Sequence, residues 1–301
     1  MAFRAAEYDR FTGPRRKAPV WWPLFTATIR RGWGSKWVRR ITFASMMMAL
    51  TVTTLFYFLY QVIPDWQALM KQFGQATNPG GEAFVIDSHA YLGLLRMFVY
   101  PVLLPLSLVF GYDLVAADLR SNAFESYFSR SITPLTYLVG RTLAFVSFLM
   151  LVTYAPVLWI WTFDVSIGPD GHFAEVAAVP LGMGAALLVT SIMLALMMQA
   201  ITAVTRSGIW TNLVFVVVFL FSAMLGGILF GLTNNPNWFA VNPLHCIHVF
   251  CSLCMGTTER LNRRGMEPTA DPEVVAAVIT GTIVICLVIL WRSLRRRGVV
   301  G

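Results

Sequence analysis

Chemistry in this chain must come from few side chains, because only 13% of its 301 residues are charged. The densest group of possible ligands is His245, Cys246, His248, Cys251 and Cys254, all within ten residues. On a helix, His245, His248, Cys251 and Cys254 step by three and drift slowly around one side. Imidazole and thiol groups suit zinc or cuprous ions. Cys251 and Cys254 could instead form a disulfide in an oxidising exterior. The plainer alternative is a set of buried small residues, with histidines capping a helix around Asn242-Pro243. A lone C-x-x-C is weak evidence for a metal, so none is expected here, and these four residues stand as the candidate ligands.

Several chemistries are excluded by absence. The chain has no G-x-x-x-x-G-K-[S/T] phosphate loop, so it does not bind ATP in that way. It has no H-E-x-x-H and no G-x-S-x-G. No row of acidic residues crosses its apolar segments, as a proton- or sodium-driven carrier needs. The chain is therefore expected not to be an enzyme and to carry no cofactor. If it moves anything, the energy comes from another subunit.

The longest polar interruption in the middle of the sequence is Ala116 to Arg141, AADLRSNAFESYFSRSITPLTYLVGR. At helical spacing Asp118, Asn122, Glu125 and Ser129 share one face, with Leu119, Ala123, Phe124, Tyr127 and Phe128 opposite. That pattern predicts a short amphipathic helix along the membrane surface, ended by Pro134 before a new span begins near Thr142. Such a helix is a handle for a cytosolic partner; the alternative is a solvated loop that only joins two spans.

This stretch resembles the coupling region of type-2 ATP-binding-cassette (ABC) exporter permeases. That region reads approximately acidic-basic-x-x-Gly-Thr-Leu-Glu-x-Leu-Leu-Ser-Arg-Pro-Val-Ser, followed by Leu-Leu-Gly-Lys. Asp118 takes the acidic position, Arg120 lies close to the basic one, and Glu125 falls on the Glu. Ser129-Arg130 fall on Ser-Arg, Ile132-Thr133 on Val-Ser, and Leu138-Val139-Gly140-Arg141 on the closing group. Asn122 stands where Gly is usual and Ser131 where Pro is usual. The resemblance implies ATPase coupling through Asp118, Arg120, Asn122, Glu125, Ser129, Arg130, Gly140 and Arg141. It also implies two cytosolic ABC ATPase subunits that hold ATP and Mg, and a second permease, identical or paralogous.

The elements that would carry these residues follow from composition. The chain is 57% hydrophobic, with a mean hydropathy of +0.65. A surplus of apolar surface this large needs lipid as its solvent. The net charge of +8 sits at the ends of apolar runs, which points to membrane topology and anionic headgroups rather than nucleic acid. Four cysteines make no disulfide framework. No cleavable signal peptide is expected, because the first apolar run begins only after about forty residues.

Residues 1–19 read as a polar cytoplasmic tail. In 20–40, Trp21, Phe25, Ile29, Trp33 and Trp37 recur every fourth residue among basic side chains, which predicts one interfacial helix. Gly32 and Gly34 should weaken it. Such an elbow helix before the first span is also part of the resemblance. Six spans follow, over about 41–62, 92–115, 142–163, 176–204, 209–232 and 273–291. Span two holds Arg96 and Asp113, each close enough to a span end to snorkel. Pro101 and Pro105 should kink it. Gln199 should bond across a helix interface. The half-apolar piece around His245 reads as a re-entrant or surface helix.

With the N-terminus inside, eighteen of the twenty-three Lys and Arg fall in cytoplasmic segments. The expected fold is thus an all-α, six-span membrane protein with both termini cytoplasmic, in a bacterial inner membrane. The expected function is the permease subunit of an ABC exporter, in contact with lipid and with no nucleic acid. The alternative is a non-transporting scaffold or a mechanical-release complex driven by an ABC ATPase. A membrane-embedded enzyme would need a polar cluster at one depth, and none is expected beyond the His/Cys group.

Overall fold

A computed structural model describes residues 19–63, 68, 87–112, 115–120, 132–169, 171–257 and 269–298. Among the described residues there are helices and turns and no strand. Six helical segments are long and apolar enough, by length and composition, to cross a membrane. In chain order the elements are α1 (Trp22–Gly34), α2 (Lys36–Tyr57, continued by a π turn over Phe58–Val62), α3 (Ser88–Phe98), a second π turn (Val99–Leu103), α4 (Leu104–Gly111) and α5 (Ala116–Arg120). They are followed by α6 (Pro134–Ile167), α7 (His172–Val176), α8 (Val179–Thr205), α9 (Gly208–Thr233), a 3-10 turn (Pro236–Val241), α10 (Pro243–Cys254) and α11 (Pro272–Gly298).

Helices α6 and α8 form the middle of the bundle. More than half of their apolar stretches is buried (56% and 67%), against 17% for α2 and α9. Met183, Leu187, Leu194 and Met198 of α8 are fully buried, facing Phe145 and Leu149 of α6 among others. Gln199 does bond across this interface: its amide donates to Thr142 Oγ1 at 3.1 Å.

Prolines set several boundaries. Pro101 sits inside the π turn between α3 and α4, where its missing N–H shifts the hydrogen-bond ladder by one residue. The surface helix expected before Pro134 falls on 121–131, outside the described residues, and Pro134 itself opens a helix. It is the first residue of α6, with Thr133 capping the start by accepting from Thr136 N at 3.2 Å. Proline is favoured there because the first helical N–H has no partner to lose. Helix α6 consequently begins two turns before Thr142 and ends beyond residue 163.

The interfacial stretch also differs from the expected single helix. Ser35 is extended (φ −72°, ψ 129°) and divides it, so Trp37 belongs to α2 and is 62% exposed. The stripe that packs on the protein is Leu24, Thr28 and Gly32. It lies one residue off the aromatic stripe, which leaves Trp21, Phe25 and Ile29 half-buried at its flank and Trp33 exposed. Gly32 is not a weakness in this setting. A Cβ there would stand 1.9 Å from the Phe110 ring of α4, so only glycine admits that ring. Phe110 in turn stacks on Phe145 and Phe148 of α6, with ring centroids 5.1 and 4.7 Å away.

Candidate functional site: two buried charged nodes on one helix

Arg141 is 4% exposed and Asp118 is 5% exposed, and the two side chains form a direct ion pair. Tyr137, one turn before Arg141 on α6, donates its hydroxyl to Asp118 Oδ2 at 2.7 Å. Arg141 also donates from Nη1 to Thr28 Oγ1 at 2.8 Å, and its guanidinium carbon lies 5.5 Å from the Tyr137 ring centre. This node joins α1, α5 and α6. Gly140 makes the approach possible, since a Cβ there would meet the Trp21 carbonyl at 3.1 Å and Leu24 Cβ at 3.2 Å. A charged pair so far from water is tolerable only because each member has further hydrogen bonds.

The other end of α6 carries a second node that the sequence did not reveal. Asp164 is fully buried. Its Oδ1 accepts from the Tyr60 hydroxyl at 2.7 Å, and its Oδ2 accepts from the Tyr91 hydroxyl and lies 2.8 Å from His172 Nε2. Glu175, 64% exposed, faces the other ring nitrogen at 3.9 Å. Four elements meet here: the π turn ending α2, then α3, α6 and α7. The π turn matters locally, because the extra residue per turn re-aims the side chains at the end of α2.

Arg141 and Asp164 are twenty-three residues apart on α6. At about 1.5 Å per residue that is roughly 35 Å, close to the thickness of a bilayer core of about 30 Å. The nodes therefore sit at opposite ends of one central helix. Each is a carboxylate surrounded by donors. Their chemistry is mechanical fastening: a buried hydrogen-bonded network holds several helices in one arrangement.

The remaining sequence candidates fall out as follows. Asp118 is not on an open face; its carboxylate is turned into the protein. Arg120 is exposed at the end of α5. Asp113, Asn122, Glu125, Ser129 and Arg130 lie outside the described residues. Arg96 does not snorkel: its Nε donates to His248 Nδ1 on α10 at 2.8 Å, which ties α3 to α10. His245 Nε2 accepts from the Ala270 amide at 3.3 Å, while Cys246 Sγ faces the Ala240 carbonyl at 3.0 Å. All four cysteines are free thiols, so Cys251 and Cys254 form no disulfide. His245 and His248 thus turn to different partners, the Ala270 amide and Arg96. Among the described residues no three His, Cys, Asp or Glu side chains are grouped as metal ligands. Burial, and secondarily the charge of Arg96, lowers the His248 pKa to about 3; burial pushes the Cys246 and Cys251 thiols up to about 12.

Thr28, Tyr60, Tyr91, Tyr137, Asp164 and His172 were missed by sequence reasoning. Asp164 lies one residue past the expected end of span three at 163. Comparison of the chain with protein-family models and with curated proteins finds no match.

Proposed function

We propose that this chain is the membrane subunit of a type-2 ABC exporter, paired with a second permease and driven by two cytosolic ABC ATPase subunits. The observation that carries the reading is the buried Asp118–Arg141 pair. It fastens the start of the polar stretch, at α5, to the central helix α6 and to α1. A push delivered to α5 then has a stiff route into the bundle, because breaking a buried ion pair is costly. Helix α6 carries the displacement to Asp164, where α2, α3 and α7 are held together. Coupling of this kind needs a rigid element with two arrangements, and α6 is the rigid element.

The six apolar helices and the basic residues at their ends support a multi-pass protein with both termini cytoplasmic. This orientation puts the Asp118–Arg141 node on the ATPase side and the Asp164 node outside. The chain supplies the path and the mechanical link; ATP and Mg belong to the partner.

Co-purification from the native host in mild detergent tests the proposal. A stoichiometric ABC ATPase should accompany the protein and be lost from a Glu125→Lys/Arg130→Glu variant that still elutes as one species. A stable protein that arrives without any ATPase overturns the assignment.

A further inference from the structure

An apolar groove of about 380 Å³ opens between α8, α9 and α11. Its walls include Ala200 and Val204 of α8, Val214 and Val218 of α9, and Ile285 and Ile289 of α11. Thr205 and Thr282 also line it, but their hydroxyls are bonded within their own helices. Thr205 Oγ1 donates to the Ile201 carbonyl at 3.0 Å, and Thr282 Oγ1 to the Val278 carbonyl at 2.8 Å. What remains is a hydrocarbon surface, open along one side, of the size of known ligand sites.

The charge is concentrated at one end. Arg206 follows Thr205 directly, caps α8 in the left-handed region (φ 55°), and is exposed. Arg292 lies three residues past Ile289, so it continues the groove-lining stripe of α11 by one turn, and it too is exposed. Trp210 and Trp291 flank these arginines and are 59% and 45% exposed. Exposed tryptophans at helix ends mark headgroup depth. The apolar slot thus gives way, on α8 and on α11, to an exposed arginine beside an exposed tryptophan. Guanidinium groups bind phosphate through paired, charge-assisted hydrogen bonds.

We infer that the groove between α8, α9 and α11 is a specific site for one anionic phospholipid, with an acyl chain on Val204, Val218 and Ile285 and the headgroup phosphate on Arg206 and Arg292. The occupant is a lipid rather than a soluble phosphate, because the groove adds hydrocarbon contact that only an acyl chain can use. The inference requires a bilayer around the helices and is independent of any ATPase.

Native mass spectrometry of the full chain in detergent, delipidated and then titrated, tests it with three probes. These are dioleoyl phosphatidylglycerol, dioleoyl phosphatidylcholine, and glycerophosphoglycerol without acyl chains. Phosphatidylglycerol should bind at about tenfold lower concentration than phosphatidylcholine, with glycerophosphoglycerol not retained. Arg206→Gln/Arg292→Gln should erase that preference. Val204→Trp changes a side chain that is 67% exposed, so it fills the groove without touching the core, and it should remove phosphatidylglycerol retention with both arginines intact. If the arginine variant fails to fold, Val204→Trp decides alone. Equal binding of the two lipids, retention of glycerophosphoglycerol as strong as that of phosphatidylglycerol, or unchanged retention in Val204→Trp overturns the site.

Discussion

Arg141 reaches Asp118 on α5 and Thr28 on α1 from a position 4% exposed, so its loss strands a carboxylate in the protein interior. Arg141→Met alone, or Asp118→Leu alone, should destabilise the protein by about 3–5 kcal/mol, because each leaves one buried charge without its partner. The double variant Asp118→Leu/Arg141→Met should recover most of that loss. Thermal unfolding in detergent reads both. A double variant as unstable as the two single changes added together would show that the pair is not coupled. His248 gives a pH dependence of definite sign. Burial first, and Arg96 second, hold its folded pKa at about 3, against 6.5 for the ordinary imidazole. The unfolded chain takes up a proton below about pH 6.5 and the folded chain does not. Stability is therefore highest above pH 6.5, falls as pH drops through 6.5, and levels off near 3. At pH 5 the loss should be about 1–2 kcal/mol, and His248→Gln should flatten the profile. An unchanged profile in His248→Gln would assign the acid sensitivity elsewhere.

At the scale of elements, the contact between α1 and α4 is the most exposed to a test. Gly32→Val drives a branched side chain into the Phe110 ring, which cannot retreat because it stacks on Phe145 and Phe148. It should cost about 1–3 kcal/mol or more, whereas Gly34→Ala, with nothing within 4 Å, should be neutral or stabilising. A Gly32→Val protein as stable as its parent would contradict the packing of α1. The six long helices were legible because each is a continuous apolar run of the required length. The register of α1 was not: the aromatic stripe at every fourth residue was easy to see, but Leu24, Thr28 and Gly32 carry the packing. A glycine gives no signal of contact in a sequence; what it admits depends on a ring far away in the chain. Asp118 stood out by its helical spacing and Arg141 through the resemblance, and their pairing was not foreseen, since a polar face reads as solvated until a buried partner is known. The Asp164 node was hidden because the helix runs four residues past the expected end of span three, and Asp164 is the first of those four. Its two tyrosines come from segments where a tyrosine is ordinary.

At the scale of the whole molecule, α6 is a strut with a charged fastening at each end, and the other helices differ in how firmly they are held. Helices α2 and α9 are mostly uncovered, with Phe43, Leu50, Leu220 and Phe221 each more than half exposed. In the proposed assembly these faces meet lipid or the second permease, while α6 and α8 move as the inner body. In the proposed assembly the polar stretch around Glu125 meets an ATPase. The most direct measurement places a photoreactive phenylalanine analogue at position 125 and irradiates native membranes. One major adduct is expected, an ABC ATPase subunit, whose yield changes when ATP hydrolysis is trapped. Adducts to lipid or to unrelated proteins alone, with the chain folded and in the membrane, would contradict this assembly.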